Sequence, residues 1–452
     1  MIIKNNILII LSFIMFTIDS STSFGQELNP DKKSELIIKL QHAIESGNIR
    51  YKLTEPEEIK ELLGNFQQES IRKDGGLDIL EIRYHDIRII FGKQRIDKDA
   101  PFTILQITIM NQNIDIGQNK MLTLRNNNDL RKLDHFWGFQ NVSLKNLDLR
   151  DELKLLSTMP FDSHTEWPTQ EKLPFGFDPQ TLLEDGKNPG LGISVLHQQG
   201  ITGRGVGIAI FDQPLLLGHE EYTSRLIRYD ATGLAEFSPQ MHGSPISSIA
   251  VGKEVGVAPE ATLSYFAIPM WESDMSYYTR SLYRIFELNN ILPKDEIIRV
   301  VSISDGAFAG EKGFQEWQKA LQKAEERGIF VVTCDTSFIK FGTLDLIEGK
   351  DPDSPYSYKI GKYCSEEDVL RIPAGNKTIA SYRGIDVYTY DREGGRSWAA
   401  PYIAGLAVLA FQINPKITPY TIKELLIKTA IKTGAGPIIN PIDFIESVKK
   451  EW

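Results

Sequence analysis

From Gly190 onward, short apolar runs alternate with segments whose apolar residues recur every three or four positions. The first pattern is typical of strands buried on both faces, and the second is typical of amphipathic helices. Their alternation predicts an α/β domain built on a parallel sheet flanked by helices. The main predicted elements are the strands Val206–Phe211, Leu263–Ile268, Ile298–Ser304 and Ile329–Cys334, and the helices Tyr277–Leu288 and Phe314–Arg327.

Residues 27 to about 150 have a different pattern, which predicts a small α+β domain. Lys33–Ser46 has the apolar spacing of an amphipathic helix, and Thr54 followed by Glu57 predicts a capping box that starts a second helix. An Asn-rich tract at 111–128 predicts turns. The predicted strands are Leu77–Tyr84, Ile87–Phe91, Phe102–Met110, Met121–Leu124 and an alternating segment at Val142–Leu149.

Prolines separate the two regions. Between residues 151 and 189 the chain has prolines at 160, 168, 174, 179 and 189, with frequent Glu, Asp, Thr and Lys. This composition predicts a linker. The α/β domain is therefore expected over 190–452.

The first 25 residues have the pattern of a secretory signal peptide. Lys4 gives a positive start, Ile7–Ile18 is apolar, and Ser23 and Gly25 are small residues before a cleavage point near Gln26. An apolar stretch of this length is short for a membrane span of about 20 residues, although an uncleaved N-terminal anchor remains the alternative. We expect export to the periplasm or the medium, with no stable membrane insertion once the signal is removed.

Composition narrows the class of protein. The chain has 452 residues, with 41% hydrophobic and 24% charged residues, which is ordinary for a globular protein. Its net charge of −10 argues against nucleic-acid binding, which usually requires a basic face.

The chain has two cysteines, Cys334 and Cys364, which are too few for a disulfide framework. They can pair in an oxidising compartment, or Cys334 can remain a buried free thiol within its predicted strand.

Three polar side chains stand in settings that nucleophilic catalysis requires. Asp212 ends a predicted buried strand, His242 precedes Gly243 at the start of a helical pattern, and Ser397 follows two glycines and an arginine at the start of a helix rich in small residues. A serine hydroxyl needs an imidazole to take its proton, and the imidazole needs a buried carboxylate to orient it. The order Asp, His, Ser, with gaps of 30 and 155 residues, therefore predicts a catalytic triad.

Other polar residues near these positions have simpler interpretations. His219 is the nearest rival for the role of base, but it lies in a polar stretch before Glu220 and Glu221 and is interpreted as a solvated loop histidine. The Glu220–Glu221 pair is likewise interpreted as part of a solvated face. No second histidine follows His219 at the helical offset that zinc peptidases use.

The segments around the three residues resemble the subtilisin-like serine peptidases, the subtilase family, over about residues 190–435. The similar segments are Gly203–Asp212, Met241–Ser244, Gly256–Ala261, Val300–Gly306 and Ser397–Gly405. The family's gaps between the catalytic residues are about 32 and 157 residues. The resemblance implies a subtilisin-like fold and protein or peptide substrates. It implies no required cofactor, although structural calcium is common in the family.

The resemblance also implies roles for residues around the triad. Ser304 and Gly306 are expected on the wall of the substrate cleft, where Asp305 stands in place of the family's usual apolar residue. The family's oxyanion asparagine has no counterpart here. Thr336 and Ser337 occupy that region, so a hydroxyl from one of them is the expected second donor beside the Ser397 backbone N–H.

These observations predict an exported serine endopeptidase that forms an acyl-enzyme. The alternative is a weakly active or inactive subtilase fold used for binding, since the oxyanion asparagine is missing. Residues 27–150 are interpreted either as a propeptide or as a permanent accessory domain.

Overall fold

The computed structural model describes residues 39–40, 43, 50, 53–63, 68–74, 77–84, 87–94, 102–109, 112–114, 121–231, 238–306, 309–335 and 339–451. The chain divides into an N-terminal unit that ends at Phe177 and a C-terminal unit that begins at Asp178. The predicted signal peptide lies outside the described residues. The predicted helix Lys33–Ser46 is described only at Lys39, Leu40 and Ala43, which are helical.

The N-terminal unit contains a helix and an antiparallel meander. Strands β1 to β5 pair in chain order, each antiparallel to the next. Ile59 and Leu63 of α1 belong to the same buried cluster as Ile82 and Ile89 of the sheet. These elements are α1 (Pro56–Leu63), β1 (Gln68–Asp74), β2 (Leu77–Tyr84), β3 (Ile87–Gln94), β4 (Thr103–Ile109) and β5 (Gln112–Ile114).

The start of α1 differs from the predicted capping box. Thr54 Oγ1 accepts a hydrogen bond from Arg50 N at 2.8 Å. The reach-back bond runs instead from Glu55 N to Glu58 Oε2 at 2.7 Å, one residue later than predicted. A local motif of this kind fixes the position of a helix end only to within a residue or two.

The rest of the N-terminal unit consists of short elements, and it includes most of the segment interpreted as a linker. Trp167 packs edge-on against Phe139 and Phe161, with ring centroids 5.9 and 5.3 Å away. Leu156 and Phe161 are fully buried, so this part is packed and not extended. The elements are β6 (Leu122–Thr123), α2 (Asn127–Leu130), β7 (Val142–Ser143), α3 (Leu153–Leu156), β8 (Phe161–Asp162) and a 3₁₀ helix (Gln170–Lys172).

The C-terminal unit alternates strands and helices, as the sequence pattern predicts. Its helices are α4 (Pro179–Asp185), α5 (Ile193–Gln198), α6 (Gly243–Val251), α7 (Met275–Leu288), α8 (Phe314–Glu326), α9 (Arg396–Ile413), α10 (Pro419–Lys428) and α11 (Pro441–Lys450), with 3₁₀ turns at Lys294–Glu296 and Pro355–Ser357. Its strands are β9 (Gly207–Asp212), β10 (Leu226–Asp230), β11 (Thr262–Ala267), β12 (Ile298–Ile303), β13 (Phe330–Thr333), β14 (Phe341–Leu346), β15 (Tyr358–Ile360), β16 (Leu370–Gly375), β17 (Lys377–Ala380), β18 (Tyr388–Asp391), β19 (Ile431–Thr433) and β20 (Gly436–Ile438).

A parallel sheet forms the centre of this unit, with the strand order β10-β11-β9-β12-β13. Ile208 and Ile210 of β9 pack into one cluster with residues of α6 and α9. Ala209 and Phe211 face the opposite way, into a cluster with residues of α7 and α8. Both faces of β9 are therefore covered by helices, which explains its uninterrupted apolar run and confirms the predicted α/β fold.

A second sheet has the order β15-β14-β16-β20-β19, in which β14, β16 and β20 run parallel. Strands β17 and β18 form an antiparallel pair that leads into α9.

Helix α9 runs through the interior, and its side chains are buried continuously from Trp398 to Phe411. Gly405 allows its close contact with the α6 region, because a Cβ there would lie 2.5 Å from Val257 Cβ. Within the described part of the chain, no helix is long and apolar enough to cross a bilayer.

Candidate active site

Asp212 is the last residue of β9 and is fully buried. Because β9 lies between β11 and β12, its carboxyl end opens at the middle of the parallel sheet. The backbone fixes Asp212 on both sides: Ile268 N donates to its carbonyl at 2.7 Å, and Gln213 N donates to Oδ1 at 2.7 Å. Strand ends at this position commonly carry functional groups in α/β proteins.

His242 directly precedes α6 and faces Asp212. Its Nδ1 lies 2.8 Å from Asp212 Oδ1 and 2.9 Å from Oδ2, and its side chain is 14% exposed. Gly243 allows this approach, because a Cβ there would lie 2.3 Å from the hydroxyl of Tyr265. With Nδ1 donating to the carboxylate, Nε2 is left as the basic nitrogen.

The charge environment favours the protonated imidazole. Burial by itself lowers the pKa of His242, but the charge and hydrogen bond of Asp212 outweigh it, with a further contribution from Asp305, and the net pKa is raised. An imidazolium formed during a reaction would therefore be stabilised at this position.

Ser397 is the second residue of α9, and reciprocal hydrogen bonds tie it to Ser304. The Ser397 hydroxyl donates to the Ser304 carbonyl at 3.2 Å, and the Ser304 hydroxyl donates to the Ser397 carbonyl at 2.8 Å. The backbone N–H of Ser397 belongs to the first turn of the helix, where amides have no intrahelical acceptor and point toward the positive end of the helix dipole.

Trp398 places the start of α9 beside the imidazole. Its ring lies 5.2 Å from that of His242 at an interplanar angle of 51°. Its Nε1 donates to Asp391 Oδ2 at 2.6 Å, which fixes the indole. The structure thus pairs Asp212 with His242 and places Trp398, the residue that follows Ser397, against the imidazole. Among the described residues, the Ser397 hydroxyl bonds to Ser304 and not to His242.

Cys334 is a neighbour of Ser397 that the sequence did not identify. Its thiol is hydrogen-bonded with the Ser397 side chain, and burial raises its pKa to about 12, so the thiol is neutral. Cys334 and Cys364 are both free, which decides the open question of their pairing in favour of free thiols. The sequence contained a sign of this contact, because Cys334 ends the predicted strand that leads to the expected oxyanion site.

The segment after β12 lies beside Ser397, on the expected cleft wall. Ser304 is buried and bonds to Ser397, while Asp305 and Gly306 are partly exposed. The Asp305 carboxylate accepts from Tyr278 Oη at 2.6 Å and from Gly306 N at 2.8 Å, and its carbonyl accepts from Cys334 N at 2.9 Å. Thr336 and Ser337, the predicted oxyanion donors, lie outside the described residues.

His219 is not the solvated loop residue that the sequence predicted. It is fully buried, its Nδ1 accepts from Glu221 N at 3.2 Å, and its Nε2 lies 3.0 Å from the Val387 carbonyl. Burial lowers its pKa.

The interpretation of Glu221 as a solvated residue is also wrong. Glu221 is 1% exposed. It accepts from Glu254 N, Val255 N and Tyr388 Oη. His219 and Glu221 therefore hold a loop in place. The described residues contain no group of three or more His, Cys, Asp or Glu side chains arranged to hold a metal ion.

Comparisons with known proteins point to one family. The model of the subtilase family matches residues 373–442, which include Ser397. The subtilisin-like protease PopC of Myxococcus xanthus (strain DK1622) is 25% identical over 285 residues, covering 53% of this chain and 58% of PopC. Subtilisin E of Bacillus subtilis (strain 168) is 24% identical over 260 residues, covering 53% of this chain and 64% of that protein.

The matched part is thus less than two thirds of the length of either relative. Among solved structures, fervidolysin from Fervidobacterium pennivorans, a keratinolytic enzyme related to subtilisin, is similar with a TM-score of 0.45 and 17% identity. That match covers 59% of this chain and 47% of fervidolysin. The sequence matches confirm the family resemblance.

Proposed function

We propose that the chain is an endopeptidase that uses Ser397, His242 and Asp212. Its similarity to the subtilisin-like serine peptidases supports this proposal. The carrying observation is the contact of His242 Nδ1 with both oxygens of the buried Asp212, at 2.8 and 2.9 Å. This contact sets the tautomer that leaves Nε2 free to accept a proton.

In the proposed reaction, the Ser397 hydroxyl attacks the carbonyl carbon of the scissile bond and transfers its proton to His242. Asp212 stabilises the resulting imidazolium, which then protonates the leaving amine. Water, deprotonated by the same imidazole, hydrolyses the acyl-enzyme and regenerates Ser397. The chemistry needs no cofactor.

Two adjustments complete the site. The Ser397 hydroxyl must rotate from the Ser304 carbonyl toward the imidazole, and catalytic hydrogen bonds often tighten only when substrate binds. The backbone N–H of Ser397, at the start of α9, is the proposed first oxyanion donor. A hydroxyl from Thr336 or Ser337 is the proposed second donor, which in subtilisin-like enzymes contributes about 10²–10³ in turnover.

One observation favours the alternative of an inactive fold used for binding. The Ser397 hydroxyl is already bonded to the Ser304 carbonyl at 3.2 Å, and such a bond holds a serine away from its base. The two functions differ in whether Ser397 can react with an electrophile.

A fluorophosphonate probe separates these functions. We expect the wild-type protein to be labelled and the Ser397→Ala and His242→Ala variants to remain unlabelled. Ser224→Ala, which changes an exposed serine of the C-terminal unit, is the matched control and should label normally. Wild-type protein that melts cooperatively but never labels would refute the enzyme and support the binding protein.

We further propose that the protein is exported through its N-terminal segment and that residues 27–150 are a propeptide. Mass spectrometry of the secreted protein tests both proposals. A mature N-terminus between residues 150 and 190 supports processing. A single species that starts near Gln26 would instead support a permanent accessory domain, and retention of residues 1–25 would refute cleavage of the signal.

A further inference from the structure

Asp305 is a carboxylate beside the proposed nucleophile that is not a member of the proposed triad, although its charge contributes to the raised pKa of His242. It follows Ser304 directly, and Ser304 exchanges two hydrogen bonds with Ser397. Its own carbonyl is fixed by Cys334 N, at the end of the neighbouring strand. A peptide whose scissile carbonyl reaches Ser397 must therefore pass close to Asp305.

The partners of this carboxylate are neutral. One oxygen accepts from Tyr278 Oη and the other from Gly306 N. In the part of the chain that the structure describes, Asp305 forms no ion pair with a lysine or arginine. Burial raises its pKa, and the nearby charges of Asp212 and Glu311 act in the same direction.

This arrangement disfavours the free carboxylate. Removing a carboxylate from water is costly unless a cation compensates, and here the surrounding charges are mostly of the same sign. A carboxylate has about four acceptor positions, of which the two observed bonds occupy two. Asp305 can therefore still accept hydrogen bonds from a cationic group that approaches through the cleft.

We propose that Asp305 is a specificity-determining residue that binds a lysine or arginine side chain of the peptide substrate near the scissile bond. Charge-assisted bonds from an ammonium or guanidinium group are stronger than those from neutral donors. An apolar substrate side chain would leave the carboxylate unpaired. This inference rests on the proposed peptidase function and names its substrate class.

The test compares fluorogenic peptides that differ at a single position, either arginine or citrulline, scanned through the residues on both sides of the scissile bond. Citrulline has nearly the shape of arginine without its charge. At one position, we expect the wild-type protein to prefer arginine by about 10- to 100-fold in kcat/KM, since a charged hydrogen bond contributes that much. Equal cleavage of both series would overturn the proposal without any variant.

The Asp305→Asn variant assigns the preference to this residue. We expect the ratio of arginine to citrulline cleavage to fall close to one, and the thermal melting of the variant shows whether it folds. Glu311→Gln removes a neighbouring negative charge and serves as the control that should retain the preference. A preference that survives in Asp305→Asn, or that Glu311→Gln abolishes equally, would refute a specific role for Asp305.

The failure of the proposed function is distinguishable from the failure of this inference. If the wild-type protein is not labelled by the fluorophosphonate, the peptidase function fails and the inference fails with it. If it is labelled and cleaves arginine and citrulline peptides equally, the peptidase stands and only the role of Asp305 is refuted.

Discussion

Lys377 is a buried lysine that forms no ion pair within the described part of the chain, and we predict that replacing it with methionine stabilises the protein. Lys377 begins β17, only 6% of the residue is exposed, and Nζ has no hydrogen-bond partner among the described residues. The ring of Tyr402 lies 5.7 Å from Nζ. Lys377 lines a small cavity together with Asn188 and Pro352.

The lowered pKa of Lys377 gives the size of the expected stabilisation. Burial lowers the pKa of Lys377 from 10.5 to about 8. Below pH 8 the amine is charged in both the folded and the unfolded chain, and the folded state carries the full cost of burial, roughly 3 kcal/mol. Between pH 8 and 10.5 the unfolded chain binds more protons, so stability rises with pH. The penalty at pH 9.5 is then about 1.4 kcal/mol.

The assay is urea unfolding of the wild-type protein and Lys377→Met at pH 7 and pH 9.5. Methionine has a similar volume, so it can fill the same space without a charge. We expect the variant to be more stable by roughly 3 kcal/mol at pH 7 and by about half as much at pH 9.5. The control is Lys432→Met, which changes an exposed lysine and should shift stability little at either pH. A destabilised Lys377→Met, or a gain that does not depend on pH, would refute this reasoning.

The remaining predictions concern the site and its supports. The pKa of His242 is raised, so kcat/KM should fall as pH drops through that pKa. Asp212→Asn should move the pH at which kcat/KM falls to a lower value and reduce kcat by about 10⁴. If that pH does not change, the pairing of Asp212 with His242 is contradicted. Trp398→Phe removes the bond to Asp391 and should cost about 1–3 kcal/mol in urea unfolding. Glu221→Leu deprives two backbone amides of their acceptor and should lower the free energy of unfolding by a similar amount. If either variant is as stable as the wild-type protein, the replaced residue does not support the structure as proposed.

The sequence predicted the parallel sheet well because its strands carry a local signal. Val206–Phe211 is apolar without interruption, and the structure places β9 at Gly207–Asp212, between helices on both faces. The structure places His242 Nδ1 2.8 Å from Asp212 Oδ1, whereas the sequence pattern indicated only the order and spacing of these residues along the chain. An apolar run and the spacing of residues along the chain can both be read from a single sequence.

Features that depend on distant partners could not be predicted in the same way. His219 follows the polar pattern of a loop, but its ring is fixed by the carbonyl of Val387, 168 residues away. The contact of Cys334 with Ser397 likewise depends on how a strand end and a helix start meet in three dimensions. No periodicity marks such contacts, because the chain between the partners can have almost any pattern.

The close approach at Gly405 has a consequence for how the site is maintained. Ser397 and Gly405 belong to one continuous helix, and that helix presses on Val257 and on the carbonyl of Ala250, in the helix that follows His242. The relative position of Ser397 and His242 therefore depends on packing in the interior and not on the surface loops. An added methyl group at Gly405, two turns from Ser397, would push the helix away from Val257 and change the distance between the proposed nucleophile and base, while most of the fold survived.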